Sequence, residues 1–309
     1  MAAPLRTTGA PGPASTELLR QVRRVELRTR RLVNSRFSGE YLSSFKGQGI
    51  EFAEVREYIP GDDVRTIDWN VTARLGAPFV KRYVEERELN VLLIVDLSGS
   101  DRWGTRGKLK SQLIAEVAAA LAMSAARNND RVGLLIVTSE VEHYLPPRKG
   151  RRHVLRVIRD LLAFEPARRG TDLVAATTYA QRVLPHRSLI FLFSDFRLGR
   201  GWNAFGRALG GLRARHDVVA CRLSDPADFE LPRVGMLRVV DPESGARGVL
   251  DTSSPALRGR FEAALDAEED HARRAFARVG VDEIRLRTDR SFTSALMGFF
   301  RRRERRRRR

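Results

Sequence analysis

Asp96, Ser98 and Ser100 fall on alternate positions directly after the apolar run Val91-Leu92-Leu93-Ile94-Val95. One carboxylate and two hydroxyls make a hard-oxygen set, suited to Mg²⁺ or Mn²⁺ rather than to zinc. By itself the Asp-x-Ser-x-Ser spacing is weak, because it recurs by chance in roughly one chain of this length in ten. Two downstream segments add to it. Arg169-Gly170-Thr171-Asp172 precedes a helical stretch that begins at Leu173, and Ser194-Asp195 follows the apolar run Ile190 to Phe193. Apolar runs bounded by turn residues read as buried strands, and in open α/β sheets ligands collect where such strands end. A third hydroxyl and a second carboxylate are therefore expected at the sheet edge that carries Asp96, delivered by three separate loops. The competing reading is structural: Asp96 and Asp195 merely end strands, and Thr171 or Asp172 caps the following helix through its free N–H groups.

The arrangement resembles the metal-ion-dependent adhesion site (MIDAS) of von Willebrand factor A domains. That resemblance implies that Ser98, Ser100 and Thr171 touch a metal ion through hydroxyl oxygens. It also implies that Asp96 and Asp195 act mainly through water or as outer acceptors, with Asp172 as a further acceptor. Mg²⁺ prefers six oxygens and keeps several waters, so a shell of neutral hydroxyls with few direct carboxylates leaves it electrophilic. An acidic side chain from a partner would complete such a shell.

The elements that must position these residues are legible after residue 88. Strand-like runs at Leu89 to Val95, Val132 to Val137, Leu189 to Phe193 and Val218 to Leu223 alternate with helical stretches. Those stretches lie near Lys108 to Arg127, Arg152 to Leu162, Leu173 to Val183 and Asn203 to Arg215. Such alternation predicts an α/β, Rossmann-like fold with a mostly parallel central sheet and helices on both faces. Glu140 to Leu145 follows its predecessor too closely for a crossover and is expected as an antiparallel edge strand. A helix from Pro255 to Arg278, a strand at Val281 to Leu286 and a short apolar helix near Phe292 to Phe300 complete the domain, and no internal repeat is visible. Upstream, residues 1–14 are expected to be disordered. Ser15 to Val33 has helical spacing, with Leu18, Val22, Val25 and Leu32 on one face. Arg36 to Tyr83 is punctuated by Gly and Pro and is expected to build a small N-terminal subdomain. The expected division is residues 15–88 for the helix and subdomain, 89–300 for the von Willebrand A-like domain and 301–309 for a basic tail.

Within that subdomain, Gly47-Gln48-Gly49-Ile50-Glu51-Phe52 leads to Val55-Arg56-Glu57-Tyr58. Then come Gly61-Asp62-Asp63-Val64-Arg65-Thr66-Ile67-Asp68-Trp69, Thr72-Ala73-Arg74, Val80-Lys81 and the acidic stretch Glu85 to Glu88. Arg56, Arg65 and Arg74 are expected to pair with Glu57, Asp62, Asp63 or Asp68, with Trp69 as an apolar anchor. The succession is similar to the signature of the bacterial domain-of-unknown-function-58 family, closely over Gly39 to Gly104 and loosely beyond. The resemblance implies a von Willebrand A-like domain that works with a MoxR-type AAA+ ATPase in a chaperone-like or complex-assembly role. Asp101 departs from that family's pattern, which usually has Met there, and sets another carboxylate beside the proposed site.

Composition narrows the remaining classes. The 309 residues are 42% hydrophobic, enough for a buried core. The longest apolar stretches, such as Val117 to Met123, are too short to span a bilayer, and the N-terminus lacks an apolar signal core, so a soluble cytoplasmic protein is expected. The single cysteine, Cys221, lies in a strand-like run and reads as a buried thiol. Of the net charge of +18, +7 comes from Arg301 to Arg309 with Glu304. Such a run can contact nucleic acid or anionic membrane nonspecifically, although arginine is abundant throughout and a solvated, minor tail is the blander reading. Gly107-Lys108 imitates the end of a phosphate loop, but Arg102 and Leu109 stand where Gly and Ser or Thr are required, so ATP hydrolysis is not expected.

A Mg²⁺-dependent phosphatase using Asp96 as nucleophile would need a second acid two residues on, where Ser98 stands. Ser98 is not in a Gly-x-Ser-x-Gly elbow, and the five histidines show no zinc spacing. The function that the resemblance implies, and that is expected here, is a non-enzymatic, metal-dependent protein-binding adaptor.

Overall fold

The computed structural model describes residues 13–33, 35–45, 51–84, 88–98, 109–168, 170–241 and 245–307. Ser100, Asp101 and the Gly107-Lys108 pair lie outside these residues, as do the Gly47-Gln48-Gly49-Ile50 run and residues 85–87 of the acidic stretch. The described residues form two compact units, one running up to Ser44 and resuming at Leu89, the other between Phe45 and Glu88.

The larger unit is a mixed α/β fold around a six-stranded sheet. Its strands are β3 (Asn90–Asp96), β4 (Arg131–Val137), β5 (Val141–Arg148), β6 (Ser188–Ser194), β7 (Asp217–Ser224) and β10 (Asp282–Arg287). Their order is β10-β7-β6-β3-β4-β5, parallel except for β5, which pairs antiparallel with β4 at one edge. The expectation of a mostly parallel sheet with an antiparallel edge strand is met. The parallel strands lack polar alternation because both faces are covered. On one face Leu92, Ile94, Leu135, Ile190, Leu192 and Val218 pack against α6 (Leu173–Val183), α7 (Trp202–Arg215) and α8 (Pro255–Val279). The opposite parity, Val91, Leu93, Val95, Leu134, Ile136, Phe191 and Phe193, is equally buried, and α4 (Lys110–Arg127) and α5 (Arg151–Ala163) pack on that side. Cys221 is buried in β7, where burial pushes its thiol far up.

Three features depart from the sequence expectation. First, the helix at residues 15–33, α1 (Pro13–Leu32), was grouped with the segment after it but packs on α4 and α5 in the larger unit, tied by Arg28–Glu116 (3.3 Å) and Arg151–Glu26 (2.5 Å). Second, α2 (Ser35–Phe45) occupies the start of the stretch read as irregular. Its Phe37 and Tyr41 rings meet Phe300 edge-on at 5.5 and 6.1 Å, which supplies the partner that Gly39 and its serines leave unannounced. Third, the run from Arg301 is not a free tail as far as Arg307. It continues α9 (Phe292–Arg307), where Arg303 bonds Asp217 and Asp282 (2.9 Å), Arg306 bonds Asp282 (2.8 Å) and Arg301 bonds Glu40 (3.2 Å). A further hairpin, β8 (Met236–Val240) with β9 (Arg247–Asp251), had no expectation attached to it.

The smaller unit pairs β1 (Glu51–Glu57) antiparallel with β2 (Phe79–Val84) around α3 (Trp69–Leu75). Arg56 and Asp62 form the expected ion pair at 2.7 Å, and that guanidinium holds the Asp62 carboxyl below its usual range. Among the described residues Arg65 and Arg74 make no ion pair. Asp68 is the N-cap of α3, accepting from the N–H groups of Asn70 (3.0 Å) and Val71 (3.3 Å). Trp69, expected as an apolar anchor, is 69% exposed, because the first helical position after the cap faces solvent. The two neighbours should therefore respond differently: Asp68→Ala should cost about 1 kcal/mol, and Trp69→Ala no more than about 0.5 kcal/mol. Urea denaturation of the two variants checks this, and a Trp69→Ala loss as large as that of Asp68→Ala would restore the anchor.

Candidate metal centre

Because β3, β6 and β7 run parallel, their last residues share one edge of the sheet. Asp96 ends β3 and Ser194 ends β6, with Asp195 next in the chain. Asp96 is buried. Its Oδ1 accepts the N–H of Ser98 (3.1 Å) and its Oδ2 accepts the hydroxyl of Ser194 (2.7 Å), while the Ser98 side chain also bonds the carboxylate. Thr171 Oγ1 stands 3.5 Å from both Asp96 oxygens, the outer limit of hydrogen bonding. Its loop is placed by the Asp172 N–H, which donates to the Thr138 carbonyl (2.7 Å), and by Gly170, whose positive φ an L side chain rarely adopts. Asp96, Ser98 and Thr171 thus meet as the sequence suggested. Asp172 does not join them: its carboxylate caps α6, accepting from the Ala175 N–H at 2.8 Å.

Asp195 is held by a local turn and by a lysine. Its Oδ1 accepts from the Arg197 N–H (3.3 Å), and its Oδ2 lies 3.4 Å from Lys110 Nζ. Phe196, between them in the chain, has φ 54°, a strained value for a bulky residue. That turn is held because its N–H donates to Ser194 Oγ (3.0 Å) and its ring is packed edge-on against Phe276 at 5.2 Å. Burial, and then the nearby negative charge of Asp195, push the Asp96 carboxyl up to about 7, against the hydrogen bonds from Ser194 and Ser98 that hold it down.

Three participants escaped sequence reasoning. Ser194 was seen only as the neighbour of Asp195, yet its hydroxyl fixes Asp96 across the β3–β6 pair. Lys110 and Asp228 gave only faint signals, a lysine opening an apolar helix and an acid in the Asp225-Pro226-Ala227-Asp228 turn. They form an ion pair at 2.9 Å.

The donor chemistry fits a hard divalent cation. Among the described residues the side chains that meet Asp96 bring hydroxyl oxygens, Asp195 adds a second buried carboxylate nearby, and a cation between the two carboxylates would offset the charge that drives Asp96 up. Among the described residues no three His, Cys, Asp or Glu side chains gather to hold a metal ion, so a cation here would depend on the hydroxyls. Two histidines are tied at the opposite sheet edge, His153 to the Val132 carbonyl (2.8 Å) and His216 to the Ser188 N–H (3.2 Å). Neither can act as a base for Ser98. No described helix is long and apolar enough to cross a membrane.

A family model described as protein of unknown function DUF58 matches residues 54–271. Uncharacterized proteins of Mycobacterium bovis and Mycobacterium tuberculosis H37Rv are each 34% identical over 286 residues, 92% of this chain and 89% of theirs. Among solved structures, a conserved hypothetical protein BatB from Bacteroides thetaiotaomicron aligns over 70% of this chain and 99% of its own at 13% identity, with a TM-score of 0.49.

Proposed function

We propose that this chain, which belongs to the DUF58 family of proteins of unknown function, is a non-enzymatic adaptor with a von Willebrand A-like domain that binds a protein partner through a divalent cation. One observation carries the reading: the convergence of Asp96, Ser98 and Thr171 at the edge where β3 and β6 end, with Asp195 alongside. Asp96 and the hydroxyls of Ser98 and Thr171 would hold Mg²⁺ or Mn²⁺, with Ser100 as the further hydroxyl of the motif. The bound ion would supply a Lewis-acidic position for a carboxylate of the partner. Ser194 orients Asp96, and the Phe196 turn sets Asp195 beside it. The same geometry speaks against phosphoryl transfer, because the position two residues after Asp96 is the buried Ser98 and not a second acid.

The partnership with a MoxR-type AAA+ ATPase rests on the resemblance of residues 39–104 and is consistent with the lack of a complete phosphate-loop motif in this chain. Nucleic-acid or membrane contact through the C-terminal arginines is the weaker reading, since Arg301, Arg303 and Arg306 are engaged with Glu40, Asp217 and Asp282.

Affinity capture tests the adaptor reading, with wild type in Mg²⁺, wild type in EDTA and Asp96→Ala in Mg²⁺ compared in one native lysate. An AAA+ ATPase or its client should be retained by the metal-loaded wild type alone. Identical captures in all three would oppose it.

A further inference from the structure

Lys110 is 1% exposed at the first position of α4, among residues that are otherwise largely apolar. A buried ammonium persists only where carboxylates compensate for its lost hydration. Asp228 does so at 2.9 and 3.2 Å, and Asp195 at 3.4 Å. Asp228 is itself fixed, because its carboxylate accepts the Asp225 N–H at 2.7 Å and caps the turn that follows β7. Lys110 thereby joins three chain segments: the start of α4, the turn after β6 that carries Asp195 and the turn after β7 that carries Asp228.

We infer that Lys110 is a built-in counter-ion that withholds Asp195 from the cation and keeps the cation affinity of the site low until a partner carboxylate arrives. The inference rests on the cation-dependent reading above. The ammonium neutralises one of the two buried carboxylates and repels a divalent ion close by, in surroundings where charges interact far more strongly than in water. Asp96 is then the one carboxylate of the described pair left for the ion. An acidic group on the partner restores the missing negative charge, so cation and partner bind with positive coupling, each raising the affinity for the other. Lys110 is a positioning residue in this scheme, acting on the ion through Asp195.

The test is Mn²⁺ binding to the full chain, read from the electron paramagnetic resonance of free Mn²⁺, with folding checked by circular dichroism. Lys110→Met should bind Mn²⁺ at least tenfold tighter than wild type, and Lys110→Arg, which keeps the charge, within about threefold. Should Lys110→Met fail to fold, Asp228→Asn decides: it removes one of the two described carboxylates that share Lys110, directs more of its charge to Asp195 and should weaken Mn²⁺ binding several-fold. Equal or weaker binding by folded Lys110→Met, or unchanged binding by Asp228→Asn, overturns the role of Lys110 while leaving the cation site standing. No Mn²⁺ binding by wild type or by Lys110→Met removes the cation site and this inference together.

Discussion

Transfer from chelator into Mg²⁺ at ten times its Kd should stabilise the wild-type chain by about 1.4 kcal/mol, because a ligand that binds only the folded state adds RT ln(1 + [L]/Kd). For a unit of this size that corresponds to a rise in melting temperature of roughly 3–6 °C. Ser98→Ala should abolish the rise. The substitution removes a hydroxyl donor to the ion but keeps the Ser98 N–H that bonds Asp96 Oδ1, so the β3 terminus retains its shape. Differential scanning calorimetry with and without Mg²⁺, on wild type, Ser98→Ala and Ser98→Ala/Ser100→Ala, gives the answer. Equal shifts in all three would show that the hydroxyls do not hold the ion.

Asp96→Asn should be more stable than wild type in chelator, and Mg²⁺ should narrow that difference by stabilising the wild type alone. In chelator near neutral pH, the wild type holds Asp96 in a buried place beside Asp195, where both burial and that neighbour disfavour the ionised form. Asparagine has nearly the same shape without the charge. Its carbonyl still accepts from the Ser98 N–H, and the main loss is the Ser194 hydroxyl bond, worth about 1 kcal/mol. A displacement from 3.8 to about 7 is equivalent to roughly 4 kcal/mol at most, so a net gain of about 1–3 kcal/mol is expected in chelator. In Mg²⁺ the variant should gain nothing further, having lost the carboxylate that the ion requires. Denaturant midpoints at one pH, with and without Mg²⁺, measure both effects. An Asp96→Asn protein less stable than wild type in chelator would mean that the carboxylate is a structural acceptor and that its charge is not a burden.

Much of this site was legible because the sheet is simple to read. The runs ending at Val95 and Phe193 are continuous and apolar because β3 and β6 are covered on both faces, and the acids directly after them mark one edge. Asp96 followed from that, while Ser98 and Thr171 came from the Asp-x-Ser-x-Ser spacing and the loop before the Leu173 helix, read with the resemblance to a metal-ion-dependent adhesion site. The ion pairs did not, because Lys110 lies 85 residues from Asp195 and 118 from Asp228, and only the folded order of β3, β6 and β7 brings them together. Arg303 was hidden for the same reason: composition gives a basic run, while Asp217 and Asp282 sit at the starts of two paired strands, β7 and β10. Trp69 failed in the opposite direction. An aromatic inside a charged signature looks like an anchor, yet its place just after the Asp68 cap leaves it in solvent. With Ile59, Val64 and Leu75 it gives the smaller unit, among the described residues, four large apolar side chains that are more than half exposed.

The most direct measurement is anomalous X-ray scattering from crystals of the wild-type chain grown with Mn²⁺. A peak in bonding contact with Ser98 Oγ, beside Asp96 and Thr171 and with Lys110 still on Asp195, is the expected result. Crystals that show no Mn²⁺ at this sheet edge, with Ser98, Thr171 and Asp195 bonded only to protein groups, would contradict a cation-dependent adaptor.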